Sequence, residues 1–393
     1  MALLDESPDF SEAAAQAFDT LHHCVGPRAI DEILPSLLAN LHTGDKFEYA
    51  LEGLKEILAV RSNVVFPVLI PTLIAQPIPA FNGRALGSLV SIASTALNHR
   101  LTNILAPLIQ SQVSETDHDT LEALETTICA PLRSVNNAGG VHTLMMMLFE
   151  LVKSKDDSKR SSGCHILATF CAESTEDISR CVSVWIRVLI NILDDCTRAV
   201  VVSALAALNA VTRTVRKDEL EGLVHSVRNS IHAIAMPGVD LPAFCLPKGI
   251  APLLPIFLQG LMNSPNSIGE ASALAVGDLI QRTSLDVLKS FVNQITGPLI
   301  RIIGCDLEYL ELASQKVPAQ PKPFFPQSKR TFIKLLTDPT SATVRARAAA
   351  ALSILISLQS HVDPLITELV AGIKASEPSV KETVMGALRC QRD

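Results

Sequence analysis

The sequence predicts an all-α fold in which short helix pairs stack on one another as a solenoid. Hydrophobic residues make up 48 % of the 393 residues but aromatic residues only 4 %, so Leu, Ile, Val and Ala must form the core. Such cores are typical of packed helices, because β-sandwiches use more aromatic and β-branched residues. The second observation is a motif that recurs along the chain.

This motif is a polar turn with Asp, Ser, Asn or Pro, followed by an amphipathic helix rich in Ala and Leu. Its first six copies start 35 to 40 residues apart, and two later gaps of 70 and 74 residues each fit two units. The spacing is typical of HEAT repeats and predicts about ten helix pairs. The copies are the segments 5–21, 44–60, 79–94, 115–128, 155–170, 194–211, 264–280, 338–356 and 376–388.

A second helix is expected between successive copies, and a proline is expected to open it. Proline suits the first turn of a helix, where its missing N–H is not needed. Because neither helix of a pair can bury its apolar stripe alone, the pairs should stack into a solenoid. The proline-opened segments are 33–41, 104–113, 295–303 and 362–373.

Two interruptions of the repeat suggest how the chain is organised. Residues 1–216 are interpreted as an N-terminal set of HEAT repeats, and 217–250 as an irregular insertion of helix and loop that holds three prolines and two glycines in its last 16 residues. Residues 251–393 are interpreted as a C-terminal set. Both chain ends fall inside a repeat, so the sequence is expected to be a fragment of a longer array.

Composition argues against several classes of protein. The apolar runs 64–74 and 251–262 are too short to span a bilayer, and the N-terminus lacks the basic region of a secretory signal. The nine cysteines are scattered without metal-site spacing, which favours buried thiols in a reducing, cytoplasmic compartment. A formal charge of −7 argues against general nucleic-acid binding.

No motif for catalysis or for a metal or cofactor is found, so the chain is not expected to be an enzyme. His22 and His23 are adjacent and therefore point to different faces of a helix, which is poor metal geometry. Asp194 and Asp195 precede a helix and are expected to cap it. The run Met145–Met147 is expected to fill gaps in the core.

Several strings are more specific than a HEAT pattern. They include ITGPLIRII (295–303), KPFFPQSKRTF (322–332) and HVDPLITELVAGI (361–373), together with YALEGLKEILAV (49–60) in the first half. These strings resemble the giant HEAT-repeat translational activator of general amino-acid control, the general control nonderepressible protein one family. The resemblance covers nearly the whole chain.

That resemblance implies a function as a scaffold. The corresponding region of the family binds RWD domains, chiefly that of the starvation-responsive kinase of translation initiation factor two alpha, and other RWD proteins compete for it. The full-length protein associates with the ribosome and relays starvation to the kinase. No cofactor, membrane or direct nucleic-acid contact is expected for this region.

The resemblance also indicates contact residues. The arginine of ITGPLIR is linked to kinase binding in the family, and it corresponds to Arg301. Helical spacing predicts that Thr296 caps a helix there, that Pro298 lies in its first turn, and that Arg301 points away from the apolar stripe. A guanidinium so placed can form a bidentate bond with a partner carboxylate.

A second group of candidates lies in KPFFPQSKR. Phe324 matches a family phenylalanine linked to kinase activation, and a hydrophobic staple is its ordinary role before a helix. Lys322, Lys329 and Arg330 add local positive charge. The segment between Arg301 and Lys322 is shorter than in the family, and Ser328 stands where the family prefers an apolar residue.

Other HEAT scaffolds remain alternatives from the residues alone. An importin-type receptor would need a continuous acidic inner face, and none is detected. A phosphatase-type scaffold would have a more regular repeat. Ribosome or nucleic-acid contact would show a steep dependence on salt.

Overall fold

The structure, a computed structural model, describes the chain from residue 8 to residue 352 with gaps. The described residues are 8–25, 28–41, 46–75, 78–93, 101–115, 118–135, 137–234, 236, 238–263, 266–302, 325–336, 345, 346, 348, 349 and 352. They form helices and turns and contain no strand. None of their helices is long and apolar enough to cross a membrane. The chain divides into two compact units, Met1–Cys181 and Val182–Asp393.

The first unit contains eight complete helices within the described ranges. They are α1 Pro8–Val25, α2 Arg28–Leu41, α3 Phe47–Leu73, α4 Ala80–Ala93, α5 Leu101–Ser114, α6 His118–Ser134, α7 Ala138–Val152 and α8 Asp157–Glu173. The unit boundary falls inside the next helix, α9 Ser179–Ile192.

The second unit mixes α-helices with two short 3-10 helices. Its described elements are α10 Arg198–Thr214, a 3-10 helix Leu220–Leu223, α11 Val224–Ile234, a 3-10 helix Pro242–Cys245, α12 Leu254–Asn263, α13 Asn266–Gln281, α14 Leu285–Ile302 and α15 Phe325–Leu336. The segment 217–250, expected from the sequence to be irregular, thus contains α11 between the two 3-10 helices.

The helices of the first unit pack in two layers. In one layer α4 contacts α2 and α6, and α6 contacts α8; in the other, α1 contacts α3 and α5 contacts α7. The layers meet through the pairs α1–α2, α3–α4, α5–α6 and α7–α8. Each of these eight helices therefore packs on a sequence neighbour and on a helix two positions away, which is how stacked repeats bury a core.

The apolar stripes predicted for these helices are confirmed. In α7, Val141, Leu144, Leu148 and Val152 are buried at spacings of three and four residues, which puts them on one face. Helix ends are capped as the turn residues suggest: the side chain of Asn137 accepts a hydrogen bond from the Gly140 N–H at 2.7 Å. The repeat copies predicted at 5–21, 155–170, 194–211 and 264–280 correspond to α1, α8, α10 and α13.

The prediction that prolines open the second helices is wrong wherever it can be examined. Pro35, Pro107 and Pro298 lie inside α2, α5 and α14. An interior proline removes one helical hydrogen bond and costs about 3 kcal/mol. The helices continue because each buries an apolar face on its neighbours, which offsets that cost. The fourth such segment, 362–373, lies outside the described residues.

Two glycines permit close contacts in the second unit. A Cβ atom at Gly260 of α12 would lie 2.2 Å from Ser272 Oγ of α13. A Cβ atom at Gly249 would lie 2.1 Å from the backbone oxygen of Ala243, in the 3-10 helix Pro242–Cys245. Both positions therefore depend on the absence of a side chain, and at Gly249 the obstacle is backbone.

Candidate partner-binding surface

Helix α14 has a buried face and an exposed polar face. Leu288, Phe291, Val292 and Ile295 are buried at helical spacing, and α14 packs on α12, α13 and α15. The exposed residues of the polar face are Asp286, Lys289, Ser290, Asn293 and Gln294. Apolar packing thus fixes the helix and leaves its polar face accessible.

The prediction that a helix starts at Thr296 is wrong. α14 is one helix of 18 residues, and Pro298 lies inside it. Thr296 is buried, and its hydroxyl donates to the Val292 carbonyl at 2.7 Å, so it is not a cap. The apolar face that begins at Val287 continues through residue 295, which carries the helix past the proline.

Arg301 therefore lies at the end of a helix and not at its start. It is the next-to-last residue of α14. Seven residues, about two turns, separate it along the helix from the exposed Gln294. The C-terminal end of a helix carries partial negative charge, which favours a cation nearby.

Helix α15 adds basic residues beside α14. Phe332 and Leu336 are fully buried, whereas Arg330 and Lys334 are exposed and Lys329 is half-buried. Because α15 packs on α14, Lys329 and Arg330 belong to the same region of the second unit as the helix of Arg301. The other two candidates, Lys322 and Phe324, lie outside the described residues.

A charged cluster that the sequence did not reveal holds α11 against α13. The Asp278 carboxylate accepts hydrogen bonds from Arg228 Nε at 3.2 Å and pairs with His232 Nε2 at 2.7 Å. The fully buried Arg282 adds a contact to Asp278 Oδ1 at 3.5 Å and donates to the Asp278 carbonyl at 3.0 Å. The sequence shows that Arg228 and His232, and likewise Asp278 and Arg282, are four residues apart, but it does not show that α11 packs on α13.

The same cluster is linked to the loop before α12. The backbone carbonyl of Arg282 accepts a hydrogen bond from the Leu241 N–H at 2.9 Å. The 3-10 helix that follows, Pro242–Cys245, contacts α14. The residues around Asp278 and the loop around Gly249 therefore both support the helix that carries Arg301.

Two further predictions concern the residues before α10 and the methionine run in α7. The Asp195 carboxylate accepts a hydrogen bond from the Thr197 N–H at 2.8 Å. Thr197 is the N-cap residue of α10 and no side chain caps the helix there, so Asp195 holds the turn before α10 and the predicted capping is wrong. The core role predicted for the methionine run is confirmed for Met145 and wrong for Met146, which is 55 % exposed. Consecutive helical residues point 100° apart, so the three cannot all face the core.

The cysteines are less uniformly buried than predicted. Cys164 is buried, and burial raises the pKa of the Cys171 thiol to about 12. Cys196 and Cys245 are exposed: Cys196 lies in the turn before α10, and Cys245 is the last residue of the 3-10 helix Pro242–Cys245. Among the described residues, no group of three His, Cys, Asp or Glu side chains could hold a metal ion.

Comparison with known proteins gives a consistent family. The family model described as "Stalled ribosome sensor GCN1-like, HEAT repeats" matches residues 65–248. The chain is 41 % identical over 398 residues to the eIF-2-alpha kinase activator GCN1 of Saccharomyces cerevisiae, which covers 98 % of this chain. It is 36 % identical over 402 residues to the stalled ribosome sensor GCN1 of Homo sapiens, covering 99 % of this chain.

The match occupies a small part of those relatives. The chain spans about 15 % of the length of the yeast and human proteins. Among solved structures, Kap121p bound to Pho4p is similar with a TM-score of 0.42 and 12 % identity, over 98 % of this chain and 40 % of that chain.

Proposed function

Since the chain belongs to the GCN1 family and has its HEAT-repeat α-solenoid fold, we propose that it is a non-catalytic scaffold that binds RWD domains. The principal partner is the RWD domain of the kinase that phosphorylates translation initiation factor two alpha in starvation. Other RWD proteins compete for the same surface. The scaffold acts in the cytoplasm, where the longer protein meets ribosomes.

The names of the relatives support the pathway. The yeast relative is an activator of an eIF-2-alpha kinase, and the human relative is a sensor of stalled ribosomes. A sensor that activates a kinase needs a surface on which the kinase docks. We place that surface in the C-terminal part of the chain, residues 251–393, on the side formed by α14 and α15.

The observation that carries the proposal is the pairing of α14 with α15. It puts Arg330 and Lys329 beside a helix whose accessible face is polar and whose last turn contains Arg301. Arginine suits a contact with a partner carboxylate, because its planar guanidinium donates two parallel hydrogen bonds. We also propose Lys322 and Phe324, which precede α15 in the sequence, as contact residues.

We expect Arg301→Ala to weaken binding of the RWD domain by about 1–3 kcal/mol, the range of a charge-assisted contact at an interface. The dissociation constant should therefore rise by about 5- to 150-fold. Isothermal titration of the purified kinase RWD domain into the 393-residue chain measures this change.

The matched control is Arg213→Ala, which removes an exposed arginine from the last turn of α10. It should leave the affinity unchanged, because α10 contributes nothing to the proposed surface. Equal affinities for Arg301→Ala and the unmodified chain would remove Arg301 from the surface. If the unmodified chain does not bind the RWD domain at all, the proposed function fails.

A further inference from the structure

An open groove lies between α4 and α6 of the first unit. Its volume is about 730 Å³. Small residues form its floor, and hydroxyl and charged side chains line its sides. Its lining includes Arg84, Gly87, Glu122, Thr126, Arg133 and Ser134.

Glycines fix the relation of the two helices. A Cβ atom at Gly83 would lie 3.2 Å from Thr127 Oγ1, and one at Gly87 would lie 3.7 Å from Thr127 Cα. Thr127 of α6 therefore lies between the levels of these two glycines of α4. The close approach is set by small residues one turn apart and gives the groove a rigid floor.

Two guanidinium groups in the groove have unused donors. Arg84 is exposed and has no hydrogen-bond or ion-pair partner among the described residues. Arg133 is exposed and donates from Nε to Glu173 Oε2 at 2.9 Å. Within the described part of the chain, the Arg133 side chain makes no other hydrogen bond, so its two terminal nitrogens can donate to a ligand. An arginine carries five N–H donors.

The hydroxyl groups offer acceptors. The Thr126 hydroxyl donates to the Glu122 carbonyl at 2.9 Å, and the Ser134 hydroxyl donates to the Pro131 carbonyl at 2.7 Å. Each hydroxyl has one proton, so its oxygen is left to accept a hydrogen bond. Backbone N–H groups of an extended peptide are suitable donors.

The order of charges along the groove identifies the ligand. A Cβ atom at Gly83 would also lie 4.0 Å from the Ala123 carbonyl oxygen, whereas one at Gly87 meets only Thr127, so α4 and α6 run in the same direction. Arg84 therefore stands at about the level of residue 126, and Arg133 is about seven residues, or about 10 Å, further along α6. Glu122 lies about 6 Å to the other side of Arg84. An extended chain in the polyproline II conformation covers 10 Å in about three residues.

We propose that this groove binds an extended segment of a partner protein that carries one basic residue followed by two acidic residues. The acidic residues, about three positions apart, pair with Arg84 and Arg133, and the basic residue pairs with Glu122. Charge complementarity selects this segment, because Glu122, Arg84 and Arg133 follow one another along the groove. Arg133 also pairs with Glu173 through Nε, so the partner carboxylate would bind its terminal nitrogens. The groove is formed by helices other than those proposed to bind RWD domains.

The test uses the full 393-residue chain and two fluorescein-labelled peptides of equal composition. The matching peptide contains Lys-Ala-Glu-Ala-Ala-Glu, and the reordered one contains Ala-Glu-Lys-Glu-Ala-Ala. Fluorescence anisotropy should show at least fivefold tighter binding of the matching peptide. Arg84→Glu should weaken that binding at least tenfold, and replacing the first peptide Glu by Lys should restore it.

Controls separate the possible occupants. Arg187→Glu, at an exposed arginine of α9 outside the groove, should leave peptide binding unchanged, and Arg84→Glu should leave binding of the RWD domain unchanged. Equal binding of the two peptides, or no effect of Arg84→Glu, would overturn the proposal. So would tighter, Arg84-dependent binding of a polyadenylate oligonucleotide, which would make the groove a site for a nucleic acid.

Discussion

Asp278→Ala is expected to lower the free energy of unfolding of the second unit by about 3 kcal/mol or more. The carboxylate of Asp278 is the common partner of Arg228 and His232 on α11 and of Arg282 on α13. Arg282 is fully buried, so removal of the carboxylate takes a charged contact from a guanidinium that lies away from water. Urea unfolding followed by circular dichroism measures the change.

The matched control for this variant is Asp286→Ala in α14. Asp286 is 90 % exposed and pairs with Lys289 at 3.0 Å, so its loss should change the free energy of unfolding by less than about 0.5 kcal/mol. If Asp278→Ala were as mild as Asp286→Ala, the cluster would not hold α11 against α13, and the account of this region would be wrong.

Gly249→Ala is expected to destabilise the second unit by at least about 3 kcal/mol, near or above the upper end for overpacking. The added Cβ would lie 2.1 Å from the Ala243 oxygen and 2.8 Å from the Phe244 Cα, both of them backbone atoms. A rotamer change cannot relieve such a clash. The 3-10 helix Pro242–Cys245 must move, and with it its contacts to α10 and α14.

Gly277→Ala is the matched control, and it is expected to raise the free energy of unfolding where Gly249→Ala lowers it. A Cβ at Gly277 meets no atom within 4 Å, and the residue lies inside α13, where Ala is preferred over Gly by about 1 kcal/mol. The variant should therefore be slightly more stable than the unmodified chain. Thermal unfolding of both variants checks the pair, and a neutral Gly249→Ala would contradict the described path of the loop.

The fold was predictable because each helix pair has a local sequence pattern, a polar turn followed by an amphipathic helix. Polar turns followed by stripes at spacings of three and four residues predicted α1, α8, α10 and α13, since a stripe of this kind can be buried in only one way. The predicted helix starts at the prolines were wrong. Whether Pro298 starts a helix or lies inside one depends on the burial of residues such as Ile295, which is a property of the packed unit.

The candidate surface was only partly predictable for the same reason. The motif around Arg301 identified the region, but its place at the end of α14 follows from the continuous helix and not from the motif. The cluster at Asp278 depends on the packing of α11 against α13, and residue spacing within one helix does not predict which helices pack together. The exposure of individual residues was also missed: Cys196, in a turn, and Cys245, at the end of a 3-10 helix, are exposed although buried thiols were predicted.

The central claim is that α14 and α15 together receive the RWD domain. Hydrogen–deuterium exchange of the 393-residue chain, with and without a saturating concentration of the kinase RWD domain, tests it most directly. The account predicts slower exchange on binding in peptides that cover residues 285–302 and 325–336, and unchanged exchange in α1 to α8. Slower exchange confined to α1 to α8, with none in α14 or α15, would contradict it.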